Sequence, residues 1–289
     1  MNYFPPSQLI INNDGSVFHL HLKPEQLAEK VILVGDPARV SLVASFFDSQ
    51  EHTVSNREFV TITGSYKGKR ITVLSTGIGT DNIDIVLNEL DALTNIDFKT
   101  RVENKNFKAL TLVRIGTSGA MQPDIPLGSF LISKKSIGFD GLLNFYAGRD
   151  NVCDLDFEAE FKKQMDWSNQ KASPYVVDND PDLIQKIGNG EMQIGITISA
   201  NGFYGPQGRT LRVNLEDPDL NDKIEKFRYK DYKITNFEME GSAIAGLSKL
   251  MGHKAMTVCC VIANRRVESA DTDYQPYIEQ LIHKVLDRI

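Results

Sequence analysis

The sequence predicts an α/β protein built on a mostly parallel sheet. Three observations carry that reading. Short apolar runs of strand length recur along the chain. Three of them run into glycine turns within a residue or two, at Gly35-Asp36-Pro37, Gly77-Ile78-Gly79 and Gly116-Thr117-Ser118-Gly119. Helical apolar spacing lies between strands. Strand, glycine turn and helix in repetition build parallel sheets, whose ligands collect beyond the carboxyl ends of the strands.

Taken in order, Val17 to Leu22 alternates, which puts His19 and His21 on one face of an edge strand. Strands follow at Val31-Val34, Ile71-Leu74, Ala109-Ile115, Ser129-Ile132, Met192-Thr197 and Ala255-Ile262. Ser55 to Phe59 opens a further strand with Arg57 and Glu58 at its start, where a surface ion pair is the plain reading. Ile83-Leu93 and Gly241-Met251 carry helical patterns. Charged stretches at 97–108 and 215–233 read as exposed insertions in one domain spanning 1–289, with no linker or repeat to divide it.

Composition narrows the function. With 38 acidic and 32 basic residues the net charge is −6, which argues against nucleic acid as a partner. A small anion held by a few arginines stays open. Cys153, Cys259 and Cys260 have no CxxC spacing, and two lie in an apolar run, so they read as reduced core thiols of a cytoplasmic protein. The N-terminus has neither the basic nor the apolar segment of a signal peptide, and no run approaches membrane-spanning length. The histidines form no metal-ligand spacing, so no metal is expected.

Four segments carry candidate chemistry. Gly35-Asp36-Pro37-Ala38-Arg39 follows a strand and offers backbone amides and a guanidinium to an anion; it reads equally as an ordinary turn. Arg114 interrupts an apolar strand, at a cost unless an anion or acid meets it. Thr117 and the glycines after it suit a phosphate nest, with a structural ion pair as the alternative. No Gly-Lys-Ser/Thr follows, so this is no Walker loop, and Asn82 stands where a dinucleotide fingerprint needs its third glycine. In Phe237-Glu238-Met239-Glu240, a carboxylate suits paired ribose hydroxyls, while Met239 packs on the sugar; helix capping is the competing reading. Finally, Phe203-Tyr204-Gly205-Pro206-Gln207-Gly208-Arg209 sets a ring, an amide and a guanidinium on one tight loop. Gln207 is suited to accept from N3–H of uracil and donate to O2, Arg209 to donate to O4, and Phe203 to stack on the base. Cytosine would leave the Arg209 contact unpaired. An incidental surface loop is the alternative.

Together these segments resemble the nucleoside phosphorylase-I family, in its uridine-cleaving branch. The resemblance runs from about Phe18 to Arg265 through FHL 18–20, GDPxR 35–39, REF 57–59, STGIG 75–79, RIGTSGA 114–120, FYGPQGR 203–209, FEMEG 237–241 and IANR 262–265. It implies a three-layer sandwich with a central mixed, mostly parallel sheet flanked by helices. It implies phosphate binding by Gly35, Arg39, Arg114 and Thr117, with Arg57 supplied by a neighbouring subunit. Ribose would be held by Met239, Glu240 and Arg114 with Glu238 nearby, and by His19 of the neighbour at the 5′-hydroxyl. Uracil would lie against Phe203, Gln207, Arg209, Ile262 and Ala263. The catalytic set it implies is Arg114, Gln207, Arg209 and Glu240.

The resemblance also has departures. Purine-specific relatives carry an Asp where this chain has Asn264, which favours a pyrimidine. Glu58, Ile78 and Asn82 match a monovalent-cation site of some bacterial members, but Asn82 stands for their Ser, so no such ion is expected. Gln-Gly-Arg at 207–209 is similar to the animal branch, and a homodimer is expected before a hexamer. The implied reaction is reversible phosphorolysis of uridine, with inorganic phosphate as co-substrate and no cofactor. A phosphate-independent nucleosidase and a non-catalytic nucleoside-binding protein are the rivals; an NAD-dependent oxidoreductase lacks its third glycine.

Overall fold

A computed structural model describes residues 2–289. The strands are β1 Lys30–Val34, β2 Ser49–Asn56, β3 Phe59–Tyr66, β4 Lys69–Ser75, β5 Ile96–Asp97, β6 Val102–Glu103, β7 Thr111–Ala120, β8 Phe130–Gly138, β9 Tyr175–Asp178, β10 Gln193–Ser199, β11 Ile234–Glu238, β12 Lys254–Asn264 and β13 Ser269–Ala270. The helices are α1 Pro37–Ala44, α2 Thr80–Asn95, α3 Leu155–Met165, α4 Pro181–Gly188, α5 Leu220–Lys226, α6 Gly241–Met251 and α7 Gln275–Arg288.

All strands but β5 and β6 join one mixed sheet. Its centre is parallel: β1 pairs with β4 and β7, β7 with β12, and β10 with both β8 and β11. The edges are antiparallel, through β2–β3–β4 on one side and β9 and β13 on the other. Because β7 also pairs antiparallel with β11, and β12 with β8, that half of the sheet curls into a closed ring. Strand β7 is the long shared wall on which both halves meet.

The continuous apolar runs follow from burial on both faces. Ile32 and Val34 of β1 face a core shared with α1, α4 and α7, while Val31 and Leu33 face one shared with α2 and α6. A third cluster packs α3 and α5 against β8, β10 and β11. Local chemistry sets the helix ends. Asp36 caps α1, accepting from Ala38 N at 2.9 Å ahead of Pro37, and Asp180 caps α4 in the same way at Leu183 N. Gly252 closes α6 in the left-handed region. Among the described residues, no helix is long and apolar enough to cross a membrane.

Three expectations are corrected. Val17–Leu22 is not an edge strand: His21 N donates to Val17 O at 3.1 Å and His21 sits at φ 54°, so the segment is a tight turn. Gly116–Gly119 is not a turn or a nest, because β7 runs straight through it, paired with β12 from Lys254 to Asn264. The stretch 215–233 is not simply an exposed insertion: α5 buries Leu220 and Ile224, and Phe227 just beyond it is buried too. The 97–108 stretch forms the small β5–β6 hairpin and is largely exposed.

Candidate active site

A cavity of about 1040 Å³ opens where β1, β7, β10, β11 and β12 end. It gathers residues from across the sequence: Gly35 from the β1–α1 turn and Arg39 from the first turn of α1, Arg114 and Thr117 from β7, Phe203, Gln207 and Arg209 from the loop after β10, Glu238 to Glu240 from the end of β11, and Ile262 and Ala263 from β12. Every site residue expected from this chain's own subunit lines it.

At its floor lie Arg114, Glu238 and Glu240, all nearly inaccessible to solvent. Arg114 Nη1 stands 3.3 Å from Glu238 Oε2, and Nη2 donates to Glu240 Oε2. Burial works against the Arg114 charge, but Glu240 and then Glu238 outweigh it and hold the guanidinium above its usual value. Burial raises Glu240 against the pull of Arg114, with Glu238 adding to the rise. The other Glu240 oxygen accepts from Gly79 N at 2.7 Å, at the N-terminus of α2. The glycine pair that hinted at a dinucleotide loop thus positions a carboxylate. Glu238 accepts from the backbone N–H of Glu240 and Gly241 and from Ser199 Oγ. Its oxygens are spent on the turn that carries Glu240, so it orients rather than faces a ligand.

The glycines after Arg114 have a different task from the expected nest. A β-carbon on Gly116 would stand 2.8 Å from the Arg114 guanidinium carbon and closer still to Nη1. One on Gly119 would stand 3.3 Å from Arg265 Nε. Both are clearances for guanidinium groups folded across a strand.

Beside this floor, Arg39 donates weakly to Ile115 O at 3.4 Å and has no ion-pair partner among the described residues. Burial and then Arg114 lower its proton affinity. A half-buried cation next to another cation, with Gly35 and Thr117 on the same wall, is where an anion repays desolvation.

At the opposite end, Gln207 is buried and its Oε1 accepts from Arg209 Nη1 at 2.8 Å and from Arg265 Nη2 at 2.9 Å. Arg209 also donates to Phe203 O and lies over the Phe203 ring, 3.7 Å from its centroid. This differs from the expected arrangement. One Phe203 face carries Arg209 rather than standing clear for a base, and the Gln207 oxygen meant for N3–H holds two guanidinium groups. The Gln207 amide nitrogen is the end left for a base carbonyl. Arg265 was missed as a site residue. Burial, then Arg209, pushes its pKa down to about 10. The signal was close to the one that marked Arg114: a guanidinium set against an apolar strand, within it for Arg114 and just past its end for Arg265. Asn264 turns away; its Nδ2 donates to Gln122 O and Ile125 O at 3.0 and 2.8 Å, so it ties down a loop and reaches no base.

His19 and Arg57 lie outside this cavity. They form one surface patch: Arg57 lies over the Phe18 ring at 5.7 Å, and Asn56 Nδ2 donates to His19 O at 2.7 Å.

This fold and cavity agree with what comparison with known proteins finds. The profile of the phosphorylase superfamily matches residues 29–287. The chain belongs to that superfamily. It is 31% identical to a uridine phosphorylase of Thermococcus kodakarensis, over 87% of this chain and 79% of that protein. It is 30% identical to a uridine phosphorylase of Haemophilus influenzae, over 87% of each. A solved Trypanosoma brucei nucleoside phosphorylase, described as showing uridine phosphorylase activity, superposes with a TM-score of 0.85 at 26% identity, over 97% of this chain and all of that one.

Proposed function

We propose that this protein is a uridine phosphorylase, a pentosyltransferase that converts uridine and inorganic phosphate reversibly to uracil and ribose 1-phosphate in pyrimidine nucleoside salvage and catabolism. The observation that carries the reading is one cavity in which Arg39, a guanidinium with no ion-pair partner among the described residues, stands beside the Arg114–Glu240 pair, and which Gln207 and Arg209 also line, with Arg265 holding Gln207 from behind.

Phosphate binds Gly35, Arg39, Arg114 and Thr117 and attacks C1′ from below the sugar. Glu240 accepts from the ribose hydroxyls and Met239 packs on the ring, while Glu238 keeps Glu240 and Arg114 in register. The C1′–N1 bond breaks through an oxocarbenium-like state, and the phosphate oxygen forms the new bond. The bonding pair leaves with uracil. Arg209, and Arg265 through Gln207, stabilise that growing negative charge, so they act most in the transition state. Phe203, Ile262 and Ala263 bound the base. Preorganised positioning and electrostatics suffice, and the equation balances without a cofactor.

The working unit is a homodimer. Arg57 and His19, which do not line their own cavity, complete the partner's site at the phosphate and at the 5′-hydroxyl. The three free cysteines, two of them buried, suit a reducing cytoplasm.

The test is uracil release from uridine with and without phosphate. Release that needs phosphate and yields ribose 1-phosphate supports the proposal. Equal release in its absence would mean a nucleosidase, and binding without turnover a nucleoside-binding protein.

A further inference from the structure

We infer that Glu89 fixes His19 as the Nδ1–H tautomer, so that Nε2 meets the nucleoside's 5′-hydroxyl as a hydrogen-bond acceptor. The inference rests on the reading that His19 reaches the 5′-position of the partner's substrate, and it adds the residue that sets what His19 offers there.

Glu89 lies on α2, the helix whose N-terminus holds Glu240. Its carboxylate is largely buried and faces the turn at 17–20. Oε2 accepts from Leu20 N at 2.8 Å and from His19 N at 3.1 Å. Oε1 lies 2.7 Å from His19 Nδ1 and also accepts from His19 N at 2.9 Å. A carboxylate only accepts, so the proton between them belongs to Nδ1. A neutral imidazole with its proton on Nδ1 has a lone pair on Nε2. Nothing among the described residues hydrogen-bonds Nε2, and the side chain is 27% exposed. Asn56 pins the His19 carbonyl from the other side, and the Phe18 ring packs edge-on at 4.8 Å. Backbone and ring are therefore both held, with one nitrogen presented outward. Glu89 acts through His19 and is a positioning residue, much as an outer carboxylate orients a metal-bound histidine.

Glu89→Gln separates this role from simple support of the turn. The two backbone N–H groups keep the amide oxygen at the Oε2 position. The amide N–H₂ then faces Nδ1, which must accept, and the ring proton moves to Nε2. Two nucleosides read the change. 5′-Amino-5′-deoxyuridine, as its ammonium, only donates; 5′-fluoro-5′-deoxyuridine only accepts. The ratio of their kcat/KM values, amino over fluoro, is expected to fall about tenfold from wild type to Glu89→Gln, the scale of one reversed hydrogen bond. His19→Ala should also shift the ratio. If it does while Glu89→Gln keeps the wild-type ratio, the inference about Glu89 is overturned and the role of His19 survives. If His19→Ala leaves the ratio unchanged, the 5′ assignment itself fails and this inference with it. A measurement on the unaltered enzyme stands apart from both: ¹⁵N spectra of histidine-labelled protein at alkaline pH, with His19 assigned by difference against His19→Asn. They should show a protonated Nδ1, and a proton on Nε2 instead would refute the proposal even if Glu89→Gln failed to fold.

Discussion

The guanidinium of Arg114 lies in the space that a side chain on Gly116 would take. The strand that carries the arginine therefore needs a residue without a β-carbon two positions on. Gly116→Ala should push Arg114 off Glu238 and Glu240 and out of the proposed phosphate site. The expected result is a fall in kcat/KM of about 10²–10³-fold, the scale of losing one preorganised donor, with a raised KM for phosphate. Overpacking a buried strand should also cost about 1–3 kcal/mol of stability. Steady-state kinetics against phosphate and a thermal melt check both, and wild-type phosphate affinity in a folded variant would refute the link.

Arg265 grips Gln207 twice, at its backbone oxygen at 3.1 Å and its side-chain oxygen at 2.9 Å. Arg265→Ala should leave the side-chain oxygen to Arg209 alone, loosening the amide so that it presents either end to the base more readily. Uridine turnover should drop by about 1.5–3 kcal/mol in kcat/KM, the worth of a hydrogen bond to a charged group. Discrimination against cytidine should fall with it. A variant that turns uridine over slowly but rejects cytidine as well as wild type does would remove Arg265 from base selection.

Much of this arrangement was legible in the sequence, for identifiable reasons. The strands β1, β4, β7, β8, β10 and β12 announced themselves because a sheet covered on both faces needs unbroken apolar runs. The β2–β3 edge was hard to see because β2 reads Ser-Gln-Glu-His-Thr-Val-Ser-Asn and is half exposed. Arg39, Arg114, Gln207 and Glu240 stood out as polar groups next to glycine turns or apolar strands. Why Gly116 and Gly119 are glycines was not legible, since a turn and a guanidinium clearance leave the same letter in the chain. The lock of Arg209 onto Phe203 and Gln207 was equally hidden, because residues two to six apart on a loop take their contacts from its backbone path.

Arg209 is bound to Phe203 and Gln207, but its proposed task lies at uracil O4 as charge grows there. Arg209→Ala should therefore lower kcat/KM for uridine by about 2–4 kcal/mol, mainly through kcat. Because the guanidinium also packs on Phe203, Phe203 should become more mobile, and KM for uridine should rise modestly. Stopped-assay kinetics with uridine separate the two effects. An unchanged kcat would leave Arg209 a packing residue only.

Glu240 is held by Arg114 and by Gly79 N, so an amide there would keep its shape but lose the charge that balances Arg114. Glu240→Gln should weaken ribose handling by about tenfold or more in kcat/KM, since hydrogen bonds to an ionised acceptor are roughly twice as strong as neutral ones. 2′-Deoxyuridine should be affected less than uridine, because it offers one hydroxyl fewer. Equal losses on both nucleosides would place Glu240 in phosphate or arginine positioning instead of ribose recognition.

Arg57 and His19 share a surface patch outside their own cavity, and that separation makes the dimer testable by mixing two broken enzymes. In the proposed dimer, Arg57→Ala would damage only what a subunit gives its partner, and Arg114→Ala only what it keeps for itself. Each variant alone should be nearly inactive. In a two-fold dimer formed from both, one site takes its cavity from the Arg57→Ala chain and its borrowed groups from the Arg114→Ala chain, and is whole; the other carries both lesions. Random pairing of equal amounts makes half the dimers mixed, with one sound site of two, so activity should recover to about a quarter of wild type. Co-expression with two different affinity tags isolates the mixed dimer. If it is no more active than its parents, Arg57 does not work across a subunit boundary, and the enzyme's site is complete within one chain.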